Sequence, residues 1–280
     1  MVESFGSRLE AAIAQRAPVC AGIDPHAVLL EKWGLPDSVA GLKEFASRAL
    51  DGLENAAAIK PQSAFFERFG SAGFAVLEDV LGTARERGIL TVLDVKRGDI
   101  GSTMAGYADA FLPAGAPLEA DAITVSPYMG PAAYDATAAL AAEHGKGLFA
   151  LALTSNPEGA ELQRSTRDGV SVAERVIRWT TERNDQYNAG EAIGSFGVVI
   201  GATIDDRAEV VRDGLDGYRG PILMPGFGAQ GGSVSAEDAK LNILVSSSRG
   251  ILNAGPEPED LAQALATTTE QVQRALRQVS

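Results

Sequence analysis

Eight short apolar runs, each followed by a polar or glycine-rich turn and then an amphipathic stretch, constrain this chain more than any other feature of its sequence. The predicted strands are Pro18–Ile23, Ala57–Lys60, Leu90–Val95, Asp121–Ser126, Leu148–Thr154, Phe196–Ala202, Pro221–Met224 and Asn242–Val245. Runs such as LFALALT and FGVVIGA are apolar at nearly every position, as strands covered on both faces of a parallel sheet are. Helical patterns lie between them at Gly41–Leu53, Ala75–Arg87, Ala132–Glu143, Val172–Asn188 and Asp206–Asp213, and a last one at Pro258–Val279 ends the chain. Eight strands alternating with helices predict an α/β fold, a closed (β/α)8 barrel of the TIM type, with an open doubly wound sheet as the alternative. No linker, low-complexity segment or charge block divides the sequence, so residues 1–280 read as a single domain.

Composition narrows the function classes. Hydrophobic residues make up 45% and charged residues 22%, ordinary proportions for a chain that buries a large core. No apolar run reaches the roughly 18 residues of a membrane helix. The N-terminal stretch MVESFGSRLEAAIAQRAP is charged throughout and lacks an apolar signal core, so a cytoplasmic location is expected. Cys20 is the single cysteine and forms no internal disulfide, which suits a reducing compartment. His26 and His144 are too few and too far apart for a histidine-based metal site. A net charge of −13 argues against nucleic acid as a partner, though a local cluster of cations in a cleft still attracts a small anion.

Active sites of barrels stand at the carboxyl ends of the strands, so the polar groups found there carry the functional reading. They are Asp24 after the first strand, Lys60 at the end of the second, and Asp94, Lys96 and Asp99 at the third. Thr154 and Ser155 end the fifth strand, PGFGAQGG (225–232) follows the seventh, and Ser246-Ser-Ser-Arg249 ends the eighth. A long connection, Ser155–Ser195, opens as a polar loop with Gly159 and Gly169 and continues as helix. Charges at the ends of apolar strands are costly to desolvate unless they pair or bind something. Residues i and i+2 of a strand point to one side, so Asp94 and Lys96 face the same interior, and Asp99 follows closely enough to join them. A lysine held protonated between carboxylates is suited to act as a general acid; a structural ion pair is the competing reading. The glycines of PGFGAQGG let backbone N–H groups approach an anion, and Arg249 adds a donor fork matched to phosphate; a surface turn is the competing reading.

The motifs GIDP (22–25), IKPQSAFFERFG (59–70), LDVKRGDIGST (93–103), VSPYMG (125–130), LTSNPEG (153–159) and PGFGAQGG resemble those of the orotidine 5′-phosphate decarboxylases, in particular their longer bacterial subgroup. The resemblance spans essentially the whole chain. It implies decarboxylation of orotidine 5′-phosphate to UMP in pyrimidine biosynthesis, with neither metal nor cofactor, by a homodimer with shared sites. It further implies that Lys96 protonates C6, that Asp94 holds Lys96, and that Asp99 and Thr103 reach the neighbouring subunit's site. Asp24 and Lys60 would bind ribose hydroxyls, Lys60 completing the charged array; Ser155 would read the pyrimidine edge. Gln230, Arg249 and the Pro225 turn would hold the 5′-phosphate. VSSSRGIL (245–252) differs from the glycine-containing segment expected before the arginine.

Two rivals differ in class. A metal-dependent sugar-phosphate decarboxylase, such as the 3-keto-gulonate 6-phosphate enzyme, shares D-x-K-x-x-D but needs an acidic metal ligand near the end of the second strand, where this chain has Lys60. A non-catalytic nucleotide-binding barrel would have no use for an ammonium beside C6. His26 reads as a turn residue beside the site and Arg97 as a structural partner on the rim. Phe65 and Phe66 read as packing residues; Tyr128 and Met129 fit pocket lining and helix-start packing equally.

Overall fold

The computed structural model describes residues 2–204, 214–227, 232 and 238–279. Eight parallel strands form a closed barrel in which each is bonded to its neighbours in sequence and the eighth returns to the first. They are Val19–Ile23, Ala58–Pro61, Leu90–Arg97, Ala122–Val125, Gly147–Leu153, Phe196–Ile200, Ile222–Pro225 and Ile243–Ser247. All eight predicted strands are present, with ends shifted by one or two residues, and the open sheet is excluded by the closing pair Val19–Val245. Helices Val39–Gly52, Gly70–Glu86, Gly101–Phe111, Asp135–Glu143, Val172–Tyr187 and Pro258–Val279 surround the barrel. The helix predicted at 206–213 lies outside the described residues.

The alternation of side chains along each strand builds two cores. Ile23, Ile59, Leu93, Ile123, Val198 and Val245 point outward and pack under the helices. Cys20, Ala58, Val92, Ala122, Phe149, Val199, Leu223 and Leu244 fill the barrel interior with small and branched groups in layers. The last helix follows the same logic at its own period: Leu261, Leu265 and Val272 form its buried stripe.

Helix Phe5–Arg16 closes the amino-terminal mouth of the barrel. Ser4 caps it by accepting a hydrogen bond from the Ser7 N–H at 3.1 Å, and Phe5 and Leu9 are fully buried in the interior cluster. The Phe5 ring meets Phe149 edge-on at 5.9 Å. Gly147 makes the space, since a Cβ there would fall 2.4 Å from the Phe5 ring. The same mouth holds structural ion pairs: Lys146 Nζ lies 2.7 Å from Glu119, and Asp121 joins Arg8 and the Thr91 hydroxyl. Among the described residues, apolar rings and these pairs fill the amino-terminal end of the barrel.

Candidate active site

The inward positions change character toward the carboxyl ends. Cys20 is followed at two-residue steps by Gly22 and Asp24, Ala58 by Lys60 and Gln62, Val92 by Asp94, Ala122 by Thr124, Leu223 by Pro225 and Leu244 by Ser246. Strand periodicity alone therefore carries a polar layer on top of an apolar one.

Asp94 is the centre of this layer. Its Oδ2 accepts from Lys60 Nζ at 3.1 Å and Gln62 Nε2 at 3.0 Å. Its Oδ1 accepts from Lys96 Nζ at 2.6 Å and the Thr124 hydroxyl at 2.8 Å. Lys60 and Asp94 are each 7% exposed, so both charges are removed from bulk water. Burial by itself would raise the Asp94 pKa, but the Lys60 and Lys96 ammoniums and the Thr124 hydroxyl hold the carboxyl well below the usual carboxylate range. Burial likewise disfavours charge on Lys60, and the Asp94 and Asp24 carboxylates overcome it, holding the ammonium above the usual lysine range. Beneath them burial pushes the Cys20 thiol up to about 12, which leaves it a neutral packing group.

Lys96 reaches Asp94 by a route that strand alternation did not foresee. Its φ is +44°, in the left-handed region, and the pairing of the third and fourth strands is irregular there. Leu93 pairs with Ile123 and Arg97 with Val125, so four steps on one strand match two on the other. Thr124 holds the kink: its hydroxyl accepts the Lys96 backbone N–H at 2.9 Å while donating to Asp94. The result is a lysine whose Nζ is anchored while 44% of its side chain remains exposed. Backbone strain at a polar cluster of this kind marks functional sites.

Beside the cluster lies a cavity of about 600 Å3, walled by Asp24, Lys60, Pro225, Phe227 and the segment from Ser246 to Gly250. Arg249 opens the short helix Arg249–Leu252 on its wall and makes no ion pair among the described residues. A cavity walled by a buried lysine and an exposed arginine fits an anionic ligand.

The structure thus joins Lys60, Asp94 and Lys96 by direct bonds and sets Asp24, Lys60, Pro225 and Arg249 around one cavity. Asp99 does not join that network within its own chain. It is half-buried, accepts the Ile100 N–H at 2.8 Å and lies near Tyr134. Thr103 and Ser155 are exposed, Thr103 on helix Gly101–Phe111 and Ser155 beside Gly201. Gln230 lies outside the described residues. Arg97 pairs with Glu67 at 2.6 Å, and Phe66 is core. His26 lines the cavity with its ring against Phe65, 4.1 Å between centroids. Tyr128 and Met129 are 76% and 52% exposed, so they are not packing residues within this chain among the described residues. Gln62 and Thr124 were missed as site residues, although each is a polar residue at an inward position of an apolar strand.

A sequence profile of the orotidine 5′-phosphate decarboxylase / HUMPS family matches residues 17–265. The chain belongs to this family. Among its relatives, the orotidine 5′-phosphate decarboxylase of Salinispora tropica is 50% identical over 266 residues, 91% of this chain and 92% of the relative. That of a Nocardioides species is 47% identical over 274 residues, 96% of this chain and 98% of the relative. The fold agrees as closely: a crystal structure assigned to an orotidine 5′-phosphate decarboxylase from Streptomyces avermitilis superposes with a TM-score of 0.91 at 46% identity, covering 99% of this chain and 97% of that one.

Proposed function

We propose that this chain decarboxylates orotidine 5′-phosphate to UMP and CO2 in pyrimidine biosynthesis, with Lys96 as the proton donor to C6. The observation that carries the reading is the Lys60–Asp94–Lys96 array beside a cavity bearing Arg249. In the reaction the C6–carboxylate bond breaks and its electron pair stays on C6, in an sp2 orbital that the ring cannot delocalise. A fixed positive charge beside that carbon is the most effective help a protein can give. The Lys96 ammonium supplies it and then transfers a proton to C6, leaving a neutral amine beside Asp94. Asp24 and Lys60 bind ribose hydroxyls, Ser155 reads the pyrimidine edge, and Pro225, Gln230 and Arg249 take the phosphate. Phosphate binding far from C6 contributes to catalysis by stabilising the closed, water-free site.

The position that would hold an acidic metal ligand in a sugar-phosphate decarboxylase is filled by Lys60, whose ammonium opposes a divalent cation. Turnover is therefore independent of metal. The test is a spectrophotometric assay of orotidine 5′-phosphate loss with and without excess EDTA. Equal rates are expected; loss in chelator that Mg2+ restores would overturn the assignment in favour of the sugar-phosphate rival.

The working unit in this reading is a homodimer. Asp99 is left out of the lysine network of its own chain. After the third strand Ile100 and, on helix Gly101–Phe111, Tyr107 expose apolar surface, and so do Tyr128 and Met129 after the fourth. Packing that surface against a second copy brings Asp99 and Thr103 to the partner's site.

A further inference from the structure

The two carboxylate oxygens of Asp24 have different surroundings. Oδ2 accepts a hydrogen bond from the Ser248 hydroxyl at 2.5 Å. Oδ1 is buried and meets no donor among the described residues. A carboxylate only accepts, so with Oδ1 lacking a donor the Ser248 bond is the side-chain contact that sets the rotation of this carboxylate. Asp24 and Ser248 both wall the cavity, together with Lys60 and Arg249. Shape enforces the contact, because a Cβ on Gly22 would fall 2.5 Å from the Cβ of Ser248 and push it away. Ser248 also directly precedes Arg249, so one hydroxyl ties the segment bearing the cavity's arginine to the carboxylate that follows the neighbouring first strand.

We propose that Ser248 is a positioning residue for ribose recognition. Its hydroxyl fixes the rotation of the Asp24 carboxylate in the cavity wall, where that carboxylate meets a ribose hydroxyl, and the site thereby prefers ribonucleotides to their deoxy counterparts. The inference rests on the nucleotide reading of the cavity given above. A merely structural serine would weaken all ligands alike when removed; a positioning serine changes the preference between them.

Titration calorimetry on the full chain with UMP and with 2′,3′-dideoxy-UMP separates these cases. The wild type is expected to prefer UMP by about 10-fold or more, the worth of a charge-assisted hydrogen bond. In Ser248→Ala the affinity for the dideoxy ligand stays near that of the wild type while the preference falls about fivefold or more, and on an Asp24→Asn background the same change has no further effect. Ser248→Cys keeps the size and a weak donor and gives an intermediate preference, which serves if the alanine variant is poorly soluble. An unchanged preference in both Ser248 variants, or a wild type that binds both ligands equally, overturns the role of Ser248. A wild type that binds no UMP overturns the nucleotide reading itself.

Discussion

Asp94 receives four donors on two oxygens, and the division of labour among them makes separate predictions. Lys60 and Gln62 hold Oδ2, whereas Thr124 and Lys96 share Oδ1. If Lys96 is the proton donor, Lys96→Ala keeps the barrel and binds UMP but loses turnover by at least the roughly 10²–10⁴-fold typical of a general acid. A purified variant retaining a tenth of wild-type kcat would remove Lys96 from that role. Thr124 touches no reacting atom in this reading; it fixes the left-handed turn at Lys96 and one lone pair of Asp94. Thr124→Val, similar in size, leaves both the Lys96 N–H and Oδ1 short of a partner. Displacement of the lysine tip should then lower kcat by about 10- to 100-fold, with UMP affinity little changed. A normal kcat in a folded Thr124→Val protein would show that the kink at Lys96 is held by the strands alone.

At the scale of elements, stability and chemistry are assigned to opposite ends of the same strands. Helix Phe5–Arg16 seals the amino-terminal mouth with Phe5 and Leu9, and the ion pairs of Lys146 and Asp121 sit there too. Phe5→Ala leaves a cavity against Phe149 and should cost about 3–5 kcal/mol of unfolding free energy, read as a lower urea midpoint. Since the polar layer around Asp94 is at the far end, kcat below the unfolding transition is expected to be unchanged. A parallel fall in kcat would mean that the interior layers transmit the displacement. The loop after the fifth strand shows element-scale order of another kind. Thr166–Arg167 and Val170–Ser171 form a hairpin whose turn residues, Asp168 and Gly169, have φ of +58° and +76°. Asp-Gly is the sequence that favours such a turn, so this polar stretch is partly preformed.

For the whole molecule the decisive question is whether one site draws on two chains. If Asp99 completes the site of a partner copy, mixing Lys96→Ala with Asp99→Ala subunits, by co-expression or joint refolding, gives heterodimers with one intact site and one site lacking both residues. Random assortment makes about half of the dimers heterodimers, each with one site of two, so activity recovers to roughly a quarter of wild type. Heterodimers confirmed by mass that show no recovery would place Asp99 in its own subunit's site.

The sequence by itself determined the barrel, because eight apolar runs of strand length separated by amphipathic helices have few other ways to be buried. It also marked Asp24, Lys60, Asp94, Lys96 and Arg249, because charge at the end of an apolar strand is costly without a purpose. The N-terminal helix was not legible: its charged residues hide a two-residue apolar anchor, Phe5 and Leu9, whose value depends on the mouth it fills. Tertiary structure alone decided how Lys96 meets Asp94. Alternation predicted a shared face, whereas the contact is made through a bulge held by Thr124 on the neighbouring strand. It alone brought Ser248 to Asp24, 224 residues apart in sequence and adjacent only because the eighth strand closes on the first. Local pattern fixes which residues a strand turns inward; which of them touch is set by register and closure, and those belong to the whole barrel.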